Sequence, residues 1–176
     1  MPKSMLSYQA LILVGNDRTG KTSLQRHLIH KLCGVRHARL PINTCYPIKH
    51  AEMPQRVETL SAMNRSIQEK LELYESVAGF FEHHFVEANI CLLSSHSVVS
   101  DIDEMIRELH RRAFNVTGVF FSNRYDLPEK YISELRWDER LWLENPEIIE
   151  GKKIEAQLID LADQVTNWIL RRSTVW

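Results

Sequence analysis

The sequence predicts an α/β fold in three layers, a parallel sheet of about five strands flanked by helices. Three observations carry it. Apolar runs of strand length recur at residues 10–14, 89–93 and 116–121. Segments whose apolar residues are spaced by threes and fours separate them. The first run ends at Gly15 and opens, within a few residues, into such a helical pattern. Strands that alternate with helices call for crossover connections and a sheet covered on both faces.

Taken in order, residues 10–14 read as a strand buried on both faces and residues 21–32 as a helix. A short strand is expected at 36–40, then an irregular stretch bracketed by Pro41 and Pro47. A long helix is expected over 54–86, with Leu60, Met63, Ile67, Leu71, Tyr74, Val77, Phe81 and Phe85 in register and Gly79 as a point of division. Ser100 and Asp103 read as a capping box that opens a helix to about residue 113. A helix carrying Ile132 and Leu135 follows Pro128, and a last short strand is expected at 147–149. Leu158, Leu161, Val165, Trp168 and Ile169, with Ile154, form the buried side of the closing helix.

The chain has 176 residues, 44% hydrophobic and 26% charged, which fits one domain over 1–176 with a sizeable core. Its net charge of −1 gives no global case for a nucleic-acid or membrane partner. No apolar run is long enough to cross a bilayer and no signal-like block opens the chain. Cys33, Cys45 and Cys91 form no C-x-x-C pair, so free thiols in a cytoplasmic protein are expected. The pairs His27/His30 and His83/His84 lack further ligands for zinc.

The motif that carries chemistry is Gly15-Asn16-Asp17-Arg18-Thr19-Gly20-Lys21-Thr22-Ser23. It has the form G-x-x-x-x-G-K-T between a strand and a helix, the setting of the phosphate-binding loop of P-loop NTPases. The glycines let the backbone turn its N–H groups toward an anion. Lys21 brings positive charge to the outer phosphates, Thr22 a hydroxyl to Mg²⁺, and the helix its positive end. The cofactors expected are therefore ATP and Mg²⁺. Phosphoryl transfer needs alignment and charge neutralisation. Arg18 is a candidate in-loop cation. Arg136 and Arg140, four apart, would share one helix face in a lid spanning about 124–146.

The insert after the first helix reads as helical rather than as the antiparallel strand pair of a small GTPase, which favours a kinase. The chain resembles the thymidylate kinases. Their loop reads G-x-D-x-x-G-K-S/T, matched by Gly15 to Thr22. Arg39-Leu40-Pro41 is similar to their R-F-P, and Ser61-Ala62-Met63-Asn64-Arg65 to their S-A-N-R with one residue inserted. The resemblance implies ATP-dependent phosphorylation of a nucleoside or deoxynucleoside monophosphate. It assigns Asp17 to the acceptor side, Arg39 and Arg65 to the acceptor phosphate, and a homodimer as a common assembly.

One departure matters. The family's third strand ends in Asp-Arg-Tyr or Asp-Arg-His, and here it ends Ser94-Ser95-His96. Ser94 and Ser95 stand as substrate-side candidates in place of the lost carboxylate and arginine. The alternatives are another acceptor such as a polynucleotide 5′-hydroxyl, a carboxylate recruited from Asp101 or Asp103, or a protein that binds ATP without turnover. Asn123-Arg124-Tyr125-Asp126 also imitates the guanine-reading N-K-x-D of small GTPases, which keeps a nucleotide switch as a further class.

Overall fold

The computed structural model describes residues 8–16, 19–122, 127–145 and 152–174. Its centre is β1 (Gln9–Val14), with all six residues buried. β1 pairs in parallel with β4 (Ile90–Ser95) on one side and with β5 (Asn115–Phe121) on the other. Beyond β5 lies β6 (Glu139–Leu143), also parallel. Beyond β4 lies β3 (Thr59–Ala62), parallel to it and antiparallel to β2 (Thr44–Pro47) at the edge. The sheet therefore has six strands in the order β2-β3-β4-β1-β5-β6, and it is mixed rather than all parallel.

The alternation of β1 separates two cores. Leu11 and Leu13 pack with Leu24, Leu28 and Ile29 of α1 (Lys21–Cys33) and with Leu161, Val165 and Ile169 of α6 (Lys152–Thr174). Ala10, Ile12 and Val14 face Phe80 and Phe81 of α3 (Val77–His83), Ile102 and Ile106 of α4 (Val99–Arg111), and Ile132 of α5 (Leu127–Ser133). Helices thus cover both faces, as a sheet with a parallel centre requires. The side chain of Ile154 lies outside the described residues.

Four expectations are corrected. Residues 36–40 form no strand; Gly34 caps α1 in the left-handed region, and Arg26 donates to the Ala38 carbonyl at 2.7 Å, holding this loop against α1. The strand comes later, as β2. The long helix over 54–86 is replaced by β3, a 3-10 turn at Gln68–Lys70, α2 (Leu71–Tyr74) and α3. The spacing misled because Leu60 belongs to one core and Met63 and Ile67 to the other, whereas one helical stripe would bury all three together. The break falls at Glu75, φ 64°, and Ser76 caps α3 by accepting the Gly79 N–H at 2.9 Å. Third, Ser100 opens no capping box: the cap position is Val98, and Ser100 lies within the first turn of α4.

The last correction concerns Arg136 and Arg140, which share no helix. Arg140 lies in β6, and Arg136 precedes it at the amino-terminal end of the strands. Trp137 between them is buried against Gly118 and donates its indole N–H to the Ile132 carbonyl at 2.7 Å. Asp138 accepts the Val116 N–H at 2.7 Å, which fixes the register at which β6 begins. The short strand expected at 147–149 lies outside the described residues.

Candidate functional site

All parallel strands point their carboxyl ends to one rim, and β1 is where the chain switches from building toward β4 to building toward β5. In open α/β sheets, ligands occupy the crevice at such a switch point. The Gly15–Ser23 segment lies there because it follows β1 directly. Gly15 donates its N–H to the Ser95 carbonyl at 3.0 Å, tying the turn to the end of β4. A Cβ at Gly15 would stand 2.7 Å from the Thr19 methyl, so no side chain fits there. Gly20 has φ 90°, a backbone that favours glycine, and is the residue from which α1 starts.

Among the described residues no side chain caps α1, and its first turn carries no acidic residue. The leading N–H groups and the helix dipole give this end of α1 the positive character that suits an anion. Lys21 is buried and lies over the turn: its ammonium donates to the Gly15 carbonyl, to the Asn16 carbonyl at 2.9 Å and to Thr19 Oγ1 at 3.2 Å. Thr19 in turn donates to the Asn16 carbonyl at 2.9 Å, and Asn16 Oδ1 accepts the Ser97 N–H at 3.1 Å. Asp17 and Arg18 lie outside the described residues, as does the Asn123–Asp126 segment.

A cavity of about 200 Å³ opens on this turn, lined by Thr19, Gly20, Lys21, Thr22, Ser23, Glu69 and Ser94. Ser94 Oγ accepts from Gln25 Nε2 at 3.1 Å, and its own proton has no acceptor among the described residues. Gln25 is fully buried, and its Oε1 has no partner there either. Ser95 is buried just beside, its hydroxyl donating to the His96 carbonyl at 2.9 Å and accepting from Gln68 at 3.3 Å.

Glu69 is the residue that sequence reasoning missed. Its carboxylate accepts the Ser66 N–H at 3.0 Å and the Ser66 hydroxyl at 2.9 Å. His96 Nε2 is 3.9 Å away, and the Arg65 guanidinium 3.4 Å. Burial pushes the Glu69 carboxyl up, but the two Ser66 donors, His96 and Lys21 outweigh it and hold it below the usual carboxylate range. The signal was legible: Ser66-x-x-Glu69 is itself a capping box. Asp101 is bound by Gln68 at 2.7 Å, and Asp103 faces Arg107 at 3.2 Å; neither lines the cavity.

Thr22 also lines a neighbouring cleft of about 510 Å³, together with Arg26, Ala38, Arg39, Leu40, Asn64 and Arg65. The structure thus brings Arg39 and Arg65 into one cleft that adjoins the Lys21 cavity. They come from different places: Arg39 from the loop that Arg26 holds against α1, and Arg65 from just past the carboxyl end of β3. Arg136 and Arg140 are not brought in. The Arg140 guanidinium is bound to the Ser133 and Leu135 carbonyls, the latter at 2.9 Å. Arg136 lies in a separate cleft with Asp103, Arg107 and His110.

No protein-family model matches the chain, and no curated protein matches it with significant similarity.

Proposed function

We propose that the protein is a P-loop phosphotransferase that moves the γ-phosphoryl group of ATP to a nucleotide-class acceptor. One observation carries this reading: an uncapped helix start and a buried lysine form a small cavity that shares Thr22 with a cleft holding two arginines. The first is suited to a triphosphate tail, the second to the phosphate of an acceptor. Their shared wall gives the adjacency that in-line transfer requires.

The donor set also suits Mg²⁺. Thr22, Ser94 and Glu69 supply oxygens to one cavity, and Mg²⁺ commonly takes one or two carboxylates plus phosphates and waters. Glu69 then provides the carboxylate that Ser94 does not. When bound, Mg²⁺ would neutralise charge on the transferring group. Lys21 would exchange its loop carbonyls for phosphate oxygens, and Arg39 and Arg65 would orient the acceptor. The orphaned Ser94 proton would be given to a phosphate oxygen or a bound water.

The resemblance to thymidylate kinases supports a nucleoside monophosphate as acceptor. The five mutually parallel strands, β3-β4-β1-β5-β6, support the P-loop fold itself. A second reading, the nucleotide switch, gains from β2 and β3, because an antiparallel pair does occupy the insert where a helix was expected. However, β3 pairs with β4 and not with β1. The test is titration calorimetry with ATP and GTP, followed by labelled ATP and Mg²⁺ with a panel of acceptors. Binding of ATP with transfer to a nucleotide is the expected result. Strong preference for GTP without transfer would favour the switch, and no binding of either would overturn both readings.

A further inference from the structure

Resting on the phosphotransferase reading, we propose that Glu69 is a positioning residue that couples the two substrates: it holds Arg65 until nucleotide-bound Mg²⁺ takes its carboxylate, so that Mg²⁺·ATP promotes binding of the acceptor. The two residues stand on either side of one boundary. Glu69 lines the cavity at Lys21, and Arg65 lines the cleft that also holds Arg39. Arg65 donates its Nη1 to Glu69 Oε1 at 3.4 Å, an i,i+4 pair that spans the two spaces. Among the described residues this is the one hydrogen bond that the Arg65 guanidinium makes. The arginine side chain is 57% exposed, so once released it is free to turn into its own cleft.

The two oxygens of the carboxylate have different tasks. Oε2 accepts the Ser66 N–H at 3.0 Å and the Ser66 hydroxyl at 2.9 Å, and lies 3.9 Å from His96 Nε2. These contacts fix the group beside Lys21. Oε1 carries the Arg65 contact and is the oxygen that can change partners. A divalent cation on Oε1 draws electron density from it and repels the neighbouring guanidinium. A phosphate dianion in the cleft then offers Arg65 the better partner, through charge-assisted hydrogen bonds. An exposed i,i+4 pair is weak, so its release raises acceptor affinity by about twofold to fivefold. The sign separates this from simple proximity. Mg²⁺·ATP is a net anion and repels an acceptor phosphate, so proximity alone would weaken acceptor binding. Release of Arg65 strengthens it, and by linkage the acceptor strengthens Mg²⁺·ATP binding by the same factor.

The test is titration calorimetry of the full chain with thymidine, uridine, adenosine and guanosine 5′-monophosphates. Each is titrated alone, with Mg²⁺ and the β,γ-imido analogue of ATP, and with the analogue and EDTA. For the monophosphate that binds best, Kd should fall about twofold to fivefold with Mg²⁺ and the analogue, and should not fall with EDTA. Glu69→Gln removes the charge that holds Arg65. Without nucleotide it should bind that monophosphate about twofold to fivefold more tightly than the parent, and Mg²⁺ with the analogue should add no further gain. A parent Kd that stays level or rises with Mg²⁺ and bound analogue, or a Glu69→Gln variant that keeps the gain, overturns this inference while the phosphotransferase reading stands. Binding of none of the four monophosphates overturns the nucleotide acceptor and this inference with it. No heat from the analogue, with or without Mg²⁺, overturns the phosphotransferase reading as well.

Discussion

The Lys21 ammonium is held among three loop oxygens beside the start of α1, and the phosphotransferase proposal puts the γ-phosphate there. Lys21→Ala should abolish phosphoryl transfer while leaving the circular dichroism spectrum unchanged. Retained turnover would remove the loop from the mechanism. Arg65→Ala should raise the acceptor KM at least tenfold more than the KM for ATP, because its guanidinium borders the cleft proposed for the acceptor and not the Lys21 cavity. Equal effects on the two substrates would place Arg65 outside the acceptor site. The cysteines divide by burial. Burial, chiefly, pushes the Cys33 thiol up to about 12 and the Cys91 thiol up to about 11, whereas Cys45 is exposed. Native protein at pH 8 should therefore react with a thiol reagent at Cys45 alone, read by peptide mass mapping.

At the scale of elements, two contacts should govern local stability. Ser76 caps α3 at the break that separates it from α2. Ser76→Ala should cost about 1 kcal/mol, measured by urea unfolding. Gly118 lets Trp137 lie on β5, because a Cβ there would meet its ring at 2.9 Å and the Phe120 ring at 2.8 Å. Gly118→Ala should cost about 1–3 kcal/mol by overpacking, and the loss should follow Trp137 fluorescence. The same contact explains why the 136–140 segment is strand and loop rather than helix. Trp137 packs on the Phe120 ring while Asp138 bonds to Val116, and these contacts with β5 lead the chain into its pairing as β6.

For the whole molecule, acid stability follows from carboxylates held in their charged form. Arg112, first, then Arg111 holds Glu108 below the usual carboxylate range against a smaller effect of burial, and Glu69 is lowered as well. Groups with depressed folded-state values stabilise the fold above the unfolded carboxylate range and lose that contribution as pH falls through their folded values. Glu139 runs the other way: burial, outweighing Arg172, raises it, so its contribution fades as pH rises through the carboxylate range. Glu108→Gln should thus be less stable than the parent at pH 7, with the gap closing below about pH 4, seen by thermal melts across pH. A gap constant with pH would show that the Glu108 charge is not what matters.

The sequence by itself determined β1, α1, β4, β5 and α6, together with the glycine-rich turn, because each depends on local rules. A fully apolar run between turn signals reads as a buried strand, and regular spacing reads as a helix. Tight turns need glycine where φ is positive or a Cβ would collide. It did not determine β2, β3 or β6, which are short edge or near-edge strands in which polar residues interrupt the apolar ones, so no continuous apolar run marks them. The candidate site divides in the same way. Lys21 and Thr22 were legible because loop and helix adjoin in sequence. That Glu69 joins their cavity, that Arg39 and Arg65 share a cleft, and that Arg136 lies at the opposite end of the strands are products of packing. Only the tertiary structure decides such meetings, since they follow from which strand pairs with which and not from the spacing of residues along the chain.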